Sequence, residues 1–522
     1  MNISIFKLII FSLISLIILA PICIIIVNGM LSILSYNEIY LTRYFFGSLI
    51  LILGVSGLVL IISIPLAWVN TMTDYTGRKL IQTLSVLPLA VPAYISAYTY
   101  SEILEPGGYL SLLFNSFNGF SIRNYFFASL IIAVSLFPYV YLLTRIAIIN
   151  FSARYIEAAK TMGKNGYECF LYICIPMAIP GIAAGLALTI METTNDFGVA
   201  DYFGLQTLSV GVFHYISIIN ELPSAFILSF IIIILMACLY ILENYFRGNK
   251  KFHNSSYENI KWSRYKLSLK SSFVVFITSL VPILFGYIIP LIFIFNLVLI
   301  NLNIIDFNNF ITSLSNSILL GALVGFVCIS VSIFINYFSR FSKNKFLFLY
   351  KKTINIGYAI PGVVIAFGVL FFVYYLDLMS NLAITATLIG LVLALVTRLI
   401  SISNNSLESG LDKIGKSIDD ASRLIGRRQS TTYFRIILPQ VKLSILAGFF
   451  LVFVDSIKEL PITLLLRPFN FNTLATSLYE YSSNEMFEYG SLHALTIIIF
   501  LSFAIYFFEN ILEKRILIKN KN

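Results

Sequence analysis

Residues 157–176 read EAAKTMGKNGYECFLYICIP, and residues 420–439 read DASRLIGRRQSTTYFRIILP. In each stretch an acid (Glu157, Asp420) is followed six positions on by a glycine (Gly163, Gly426) and thirteen further on by a proline (Pro176, Pro439). Both spacings agree without a gap at an offset of 263 residues, half the chain. That period is far longer than the roughly 20–50 residues of a solenoid unit. Each copy is a polar island between long apolar runs. The repeat is therefore a hydrophilic loop returned to the same place in two similar membrane halves.

The composition agrees. Of 522 residues, 58% are hydrophobic and only 11% charged, which leaves too little polar surface to clothe a soluble globule of this size. The net charge of +10 does not point to nucleic acid, because the cations sit between apolar spans, where they act as a topology signal. No nucleic-acid partner is expected. The cysteines Cys23, Cys169, Cys174, Cys238 and Cys328 lie singly in or beside apolar runs, without a metal-ligand spacing.

Crossing about 30 Å of hydrocarbon takes about 20 apolar residues. Six such runs precede the midpoint, near 8–34, 44–70, 80–102, 125–149, 171–195 and 225–246; six follow, near 272–300, 316–338, 353–375, 382–402, 434–456 and 489–511. Backbone amides in lipid must be satisfied within the segment, and runs this long are helices rather than barrel strands. The first run exceeds a signal-peptide core and is read as a retained helix. The expected architecture is an all-α polytopic membrane protein of about twelve helices: a first half 1–246, a basic linker 247–271 and a second half 272–522.

A cytoplasmic N-terminus places 31 of the 35 Lys and Arg on inner segments and leaves only Arg43, Arg123, Lys458 and Arg467 outside. Both polar loops, the linker and the C-terminus are then cytoplasmic. The linker, with seven cations from Arg247 to Lys270, either touches anionic headgroups or simply anchors and tethers the halves. Pro92 and Pro361 fall in the third span of each half, where a kink either marks a pathway or serves packing.

The pattern acid-Ala-x-x-x-x-Gly with a later hydrophobic-Pro pair resembles the EAA loop of permease subunits of binding-protein-dependent ABC importers. Two fused loops, with Asp196-Phe197-Gly198 and Tyr202-Phe203-Gly204 after the first, are similar to the ferric-iron importer permeases over nearly the whole chain. The resemblance implies a type I ABC importer permease-like fold in the bacterial cytoplasmic (inner) membrane. It makes Glu157, Ala158, Ala159 and Gly163, with Asp420, Ala421 and Gly426, two coupling helices that seat in two copies of an ABC ATPase. It further implies an extracytoplasmic substrate-binding protein as partner. The second copy departs from the pattern, with Asp for Glu and Ser422 for the second Ala. No phosphate loop of Gly-x-x-x-x-Gly-Lys-Ser/Thr spacing is expected in such a chain, so no cofactor is bound here and ATP belongs to the partner ATPase.

Two acidic pairs close the fifth spans. Glu192 and Asp196 are four apart, as are Asp455 and Glu459, at the same 263-residue offset. That spacing favours one helical face. Hard carboxylate oxygens suit a hard cation, so the four are candidates for a cation pathway; the alternative is that they solvate helix ends or anchor a docking protein. Thr144-Arg145 and Thr397-Arg398 are read as interfacial ends of the fourth spans. His214, His253 and His493 show no metal-site spacing.

The expected function is an ABC importer permease without catalytic residues of its own, carrying ferric iron by resemblance. Thiamine, polyamine or another small solute remain open as cargo. An ion-gradient-driven carrier would share the twelve helices, yet has no reason to contain paired EAA-type loops.

Overall fold

The computed structural model describes residues 2–35, 41–113, 121–151, 153–247, 264–341, 355–380, 383–415 and 417–519. Most of the expected basic linker lies outside these. The regular structure of the described residues is helical, apart from a two-residue parallel pairing of Thr73–Asp74 with Tyr265–Lys266. Among the described residues ten helices are long and apolar enough to span a membrane, and the number is twelve if each of two bent pairs, Arg78–Ala90 with Ala93–Ser111 and Gln429–Gln440 with Lys442–Lys458, is one span. Helices rather than strands follow from the need to satisfy every amide locally in hydrocarbon.

Packing divides the chain differently from the repeat. One compact unit comprises Met1–Glu38, Val212–Ile232 and Ile305–Asn484; the other comprises Ile39–Gly211, Ile233–Ile304 and Glu485–Asn522. Each unit thus draws on both sequence halves. The helix Asn2–Ser35 packs with Gly362–Ser380 from the second half, while Ile289–Ile300 and Phe487–Lys519 pack together within the unit built around the first half.

Both units have the same core. In one, Leu41–Met72, Tyr125–Phe151 and Ile175–Asn195 pack mutually; in the other, Phe307–Phe341, Leu388–Leu411 and Lys442–Lys458 do. Small residues allow the close approach: a Cβ on Gly181 or Gly185 would lie 2.5 Å from the Leu143 carbonyl or 2.6 Å from the Val140 Cα. Corresponding serines stitch the second span to the fourth in each core. Ser63 Oγ donates to the Phe137 carbonyl (2.8 Å), and Ser332 Oγ meets Ser403 Oγ (2.6 Å).

Proline shapes the spans in two ways. Val91 and Pro92 are extended, as a pre-proline residue and a ring without N–H require, and the third span bends there by 91°. At three other prolines the turn before the ring widens, although the span holding Pro439 also bends by 74° at Val441. Three π turns, Phe170–Cys174, Leu284–Ile288 and Tyr433–Ile437, come just before Pro176, Pro290 and Pro439. A proline ring clashes with the carbonyl four residues back, which falls inside each π turn, and the wider turn makes room for it.

Candidate coupling loops and fifth-helix ends

The first loop helix, Ala153–Thr161, presents Glu157 and Ala158 to solvent and buries Ile156 and Ala159. It ends at Gly163, whose φ of +81° is a left-handed conformation that suits glycine. Lys164 N–H returns to the Ala159 carbonyl at 3.0 Å, the long bond of a Schellman termination. Asn165 then caps the following turn, its side chain accepting from Glu168 N–H (2.8 Å) while Glu168 accepts from Asn165 N–H (3.3 Å).

The second loop helix, Ser417–Leu424, repeats this geometry. Asp420 and Ala421 are exposed, Ser422 is buried, Gly426 has φ +75°, and Arg427 N–H reaches the Ser422 carbonyl at 3.1 Å. The hydroxyl introduced by Ser422 is satisfied by Thr432 Oγ1 at 2.6 Å. Met162 and Ile425, both just before the glycine, are 80% and 76% exposed. An apolar side chain held in water at the same place in both copies fits a surface that another protein covers.

The supports beneath the loops differ. Arg340, at the end of the helix Phe307–Phe341, pairs with Asp419 at 2.9 Å and donates to the Leu411 and Ile414 carbonyls. The sequence reading passed over both residues; the signals were a last-turn arginine and an acid doubled beside Asp420. Under the first loop the support is aromatic and apolar, with Trp68 against Phe170 and Tyr265 (ring centroids 5.4 and 6.4 Å) and Gly166 against the Tyr265 ring.

One expectation needs correcting on the sequence itself. Gly410-Leu411-Asp412-Lys413-Ile414-Gly415-Lys416-Ser417 does have the Gly-x-x-x-x-Gly-Lys-Ser spacing of a phosphate loop. Its setting is not that of a nucleotide site, which needs a strand leading through the loop into a helix. Here the stretch leaves the spanning helix Leu388–Leu411, and the turn offers carbonyls to Arg340 rather than amides to an anion. Lys416 lies outside the described residues.

At the fifth-helix ends, Asp196 and Glu459 are each the extended residue that caps the helix, with φ/ψ of −67°/109° and −71°/120°. The single helical face expected from the spacing of four therefore stops at these positions. Their surroundings diverge. Glu459 is buried in an ion pair with Arg398, side chains 7% and 6% exposed, and a Cβ on Gly362 would stand 2.6 Å from Glu459 Oε1 and 2.8 Å from the guanidinium. Arg398 is thus no interfacial helix end. The helix continues to Leu411 and holds it in its middle, which corrects the snorkelling assignment. Asp455 pairs with Lys458 at 2.7 Å.

Asp196 accepts from Val199 N–H at 2.9 Å, and among the described residues no Lys or Arg pairs with it. Burial pushes its carboxyl up to about 7, with the Glu192 charge adding to the rise and the backbone hydrogen bonds of Val199 and Ala200 opposing it. Glu192 is half-buried in the last turn of the same helix. The two acidic pairs belong to different compact units.

Comparison with known proteins converges on this arrangement. A family model described as binding-protein-dependent transport system inner membrane component matches residues 57–250 and 338–518, one segment around each loop. The Fe(3+)-transport system permease protein FbpB 2 of Haemophilus influenzae is 20% identical over 82% of this chain and 81% of its own length. The molybdenum transport system permease protein ModB of the same organism is 27% identical over 30% of this chain and 71% of its own. Its spermidine/putrescine transport system permease protein PotB is 29% identical over 37% and 69%. With both segments matched and a loop helix of the same geometry in each, the chain belongs to the binding-protein-dependent transport system inner membrane component family, as a permease with two fused domains.

Proposed function

We propose that the chain forms the translocation pathway of an ABC importer for ferric iron. The observation that carries the importer reading is the repeated loop: acid and alanine turned outward, an exposed apolar residue before a left-handed glycine, and the same termination in both copies. Two copies of a separate ATPase would seat on these loops in the cytoplasm, and ATP would be bound and hydrolysed there. With both termini cytoplasmic, cargo arrives from an extracytoplasmic binding protein. Rocking of the packed units, driven through the loops, would give alternating access.

Iron is favoured over other cargo by the extent of similarity, since the ferric permease aligns along most of both chains whereas the molybdenum and polyamine permeases align over one segment. The acids add a chemical argument. Arg398 and Lys458 neutralise Glu459 and Asp455 locally, so the oxygen contacts that favour a hard cation would come from Glu192 and Asp196. The test is uptake by proteoliposomes holding permease and ATPase, with binding protein outside. ATP-dependent accumulation of radioactive ferric iron, not displaced by molybdate or spermidine, is expected. Uptake of either competitor with no iron accumulation overturns the cargo, and uptake independent of ATP overturns the importer.

A further inference from the structure

The segment after the short helix at each fifth-helix end differs in length between the halves. Gly198–Tyr202 is followed by five residues before Leu208, and the longer Pro461–Leu466 by seven before Leu474. The register is restored on the far side. Ser48 Oγ accepts from Leu208 N–H (2.7 Å) as Ser317 Oγ does from Leu474 N–H (2.8 Å), and the carbonyls of Gln206 and Asn472 accept from Tyr125 and Asn316. Of the three extra residues, one lengthens the short helix and two fall within Arg467–Phe471, which forms a turn. Phe471 N–H closes it on the Pro468 carbonyl (3.2 Å), and Asn470 occupies its left-handed position at φ +59°.

At the tip stands Phe469, 94% exposed. The turn that carries it is braced. Arg467 hydrogen-bonds both Asn472 and Glu480, and Asn472 Nδ2 donates to Glu480 at 3.2 Å. An aromatic ring held in water on a fixed base, inside a collar of arginine, asparagine and glutamate, has the anatomy of an interface anchor with a polar rim. That collar also argues against seating in hydrocarbon, where its charges would be costly. In the first half a phenylalanine, Phe203, also precedes the left-handed residue, Gly204, but it is buried at 4% exposure, and polar Gln206 follows.

We propose that Phe469 is a docking anchor for the extracytoplasmic binding protein, filling an apolar pocket on it. Resting on the importer reading and its topology, which put this turn outside, the anchor has a further consequence. Two similar halves would offer a single asymmetric partner two near-equivalent orientations, and a ring exposed on one half only selects between them.

The experiment uses the complete permease–ATPase complex in nanodiscs and the soluble binding protein that stimulates its ATP turnover. Phe469→Ala is expected to raise the half-saturating concentration of binding protein at least tenfold, Phe469→Tyr to keep it within about threefold, and Gln206→Ala to leave it unchanged. A half-saturating concentration for Phe469→Ala within twofold of the parent overturns the proposal while the importer reading stands. A parent complex that no binding protein stimulates strikes the importer reading itself. A second arm places a fluorophore on Phe469→Cys in a chain cleared of its native cysteines. Quenching by aqueous iodide but not by nitroxide-labelled lipid tails is expected; the reverse makes this turn a lipid anchor and also overturns the proposal.

Discussion

The two halves share a backbone plan and differ in how they hold it. Aligned through their cores, Gly362, Arg398 and Glu459 in the second half stand where Ala93, Ser135 and Asp196 stand in the first; Arg340 and Asp419 stand where Thr71 and Ile156 do. At both places the second half uses a buried or nearly buried arginine–carboxylate pair. The first half has a buried isoleucine at one, Ile156, and at the other a carboxylate, Asp196, that pairs with no Lys or Arg among the described residues. The substitutions come as sets: a guanidinium at 398 needs both the counter-charge at 459 and the missing Cβ at 362. A duplicated fold can thus keep its geometry while one copy becomes electrostatically locked and the other does not.

The sharpest way to break that contrast is to remove one partner of the locked pair. Arg398→Met leaves Glu459 buried without its counter-charge and should cost about 3–5 kcal/mol, whereas Arg398→Met with Glu459→Met should recover most of the loss. Thermal unfolding of the detergent-purified protein checks it. Ser135→Ala at the corresponding position of the first half should shift stability by less than about 1 kcal/mol. Equal effects in the two halves would erase the distinction.

Next in size is the support of the loops. Ile156→Ala, which empties a buried apolar position, should cost about 2–4 kcal/mol, and Asp419→Asn, which weakens a charged hydrogen bond to Arg340, about 1–3 kcal/mol. The informative measurement is local: hydrogen exchange should quicken around 153–164 in the first variant and around 411–427 in the second. Raised salt should further loosen only the ion-paired loop, since an apolar contact is not screened.

The plan of the molecule was legible in its sequence and the locks were not. Apolar run length located the spans, and the acid–glycine–proline spacing located both loops, because those patterns report local backbone demands: helices in lipid, a left-handed glycine, a proline that widens the turn before it. Arg398 was misread for a physical reason. The shared Thr-Arg dipeptide pairs it with Arg145, but the 263-residue offset of the loops and the cores both align Arg398 with Ser135, and only tertiary contact reveals the carboxylate 61 positions away. Arg340 escaped likewise, because its partner lies 79 residues on. The crossing of helices between halves, with Asn2–Ser35 in the unit of the second half's core, has no local signature at all.

The uncompensated acid gives the contrast a pH signature. Asp196 has its folded pKa raised to about 7, above an unfolded value near 3.9. The folded state then binds the proton more tightly, so the contribution of this group is fully present below about pH 4 and is lost as pH rises through about 7. Asp196→Asn should flatten the difference in stability between pH 4.5 and 8 and should stabilise most at the alkaline end. Thermal unfolding of parent and variant across that range measures it. An unchanged pH profile in Asp196→Asn would mean that water or a neighbouring group already meets the charge.

The smallest effect is expected where the halves are most alike. Gly163 and Gly426 have φ of +81° and +75°, and a Cβ built on either meets nothing within 4 Å. The cost of Gly→Ala is then purely that of a left-handed backbone, about 1–2 kcal/mol, with no packing contribution to make one site differ from the other. The two variants should match each other within about 0.5 kcal/mol in unfolding. Their effect on ATP-driven uptake should exceed their effect on stability, because the turn sets the angle at which Met162 and Ile425 are presented. Replacement by proline, whose φ is fixed near −65°, should uncouple ATP turnover from uptake at either loop. If Gly426→Ala were tolerated while Gly163→Ala abolished uptake, the ion-paired second loop would be holding its turn against the unfavourable backbone, and the lock described above would reach as far as the coupling surface.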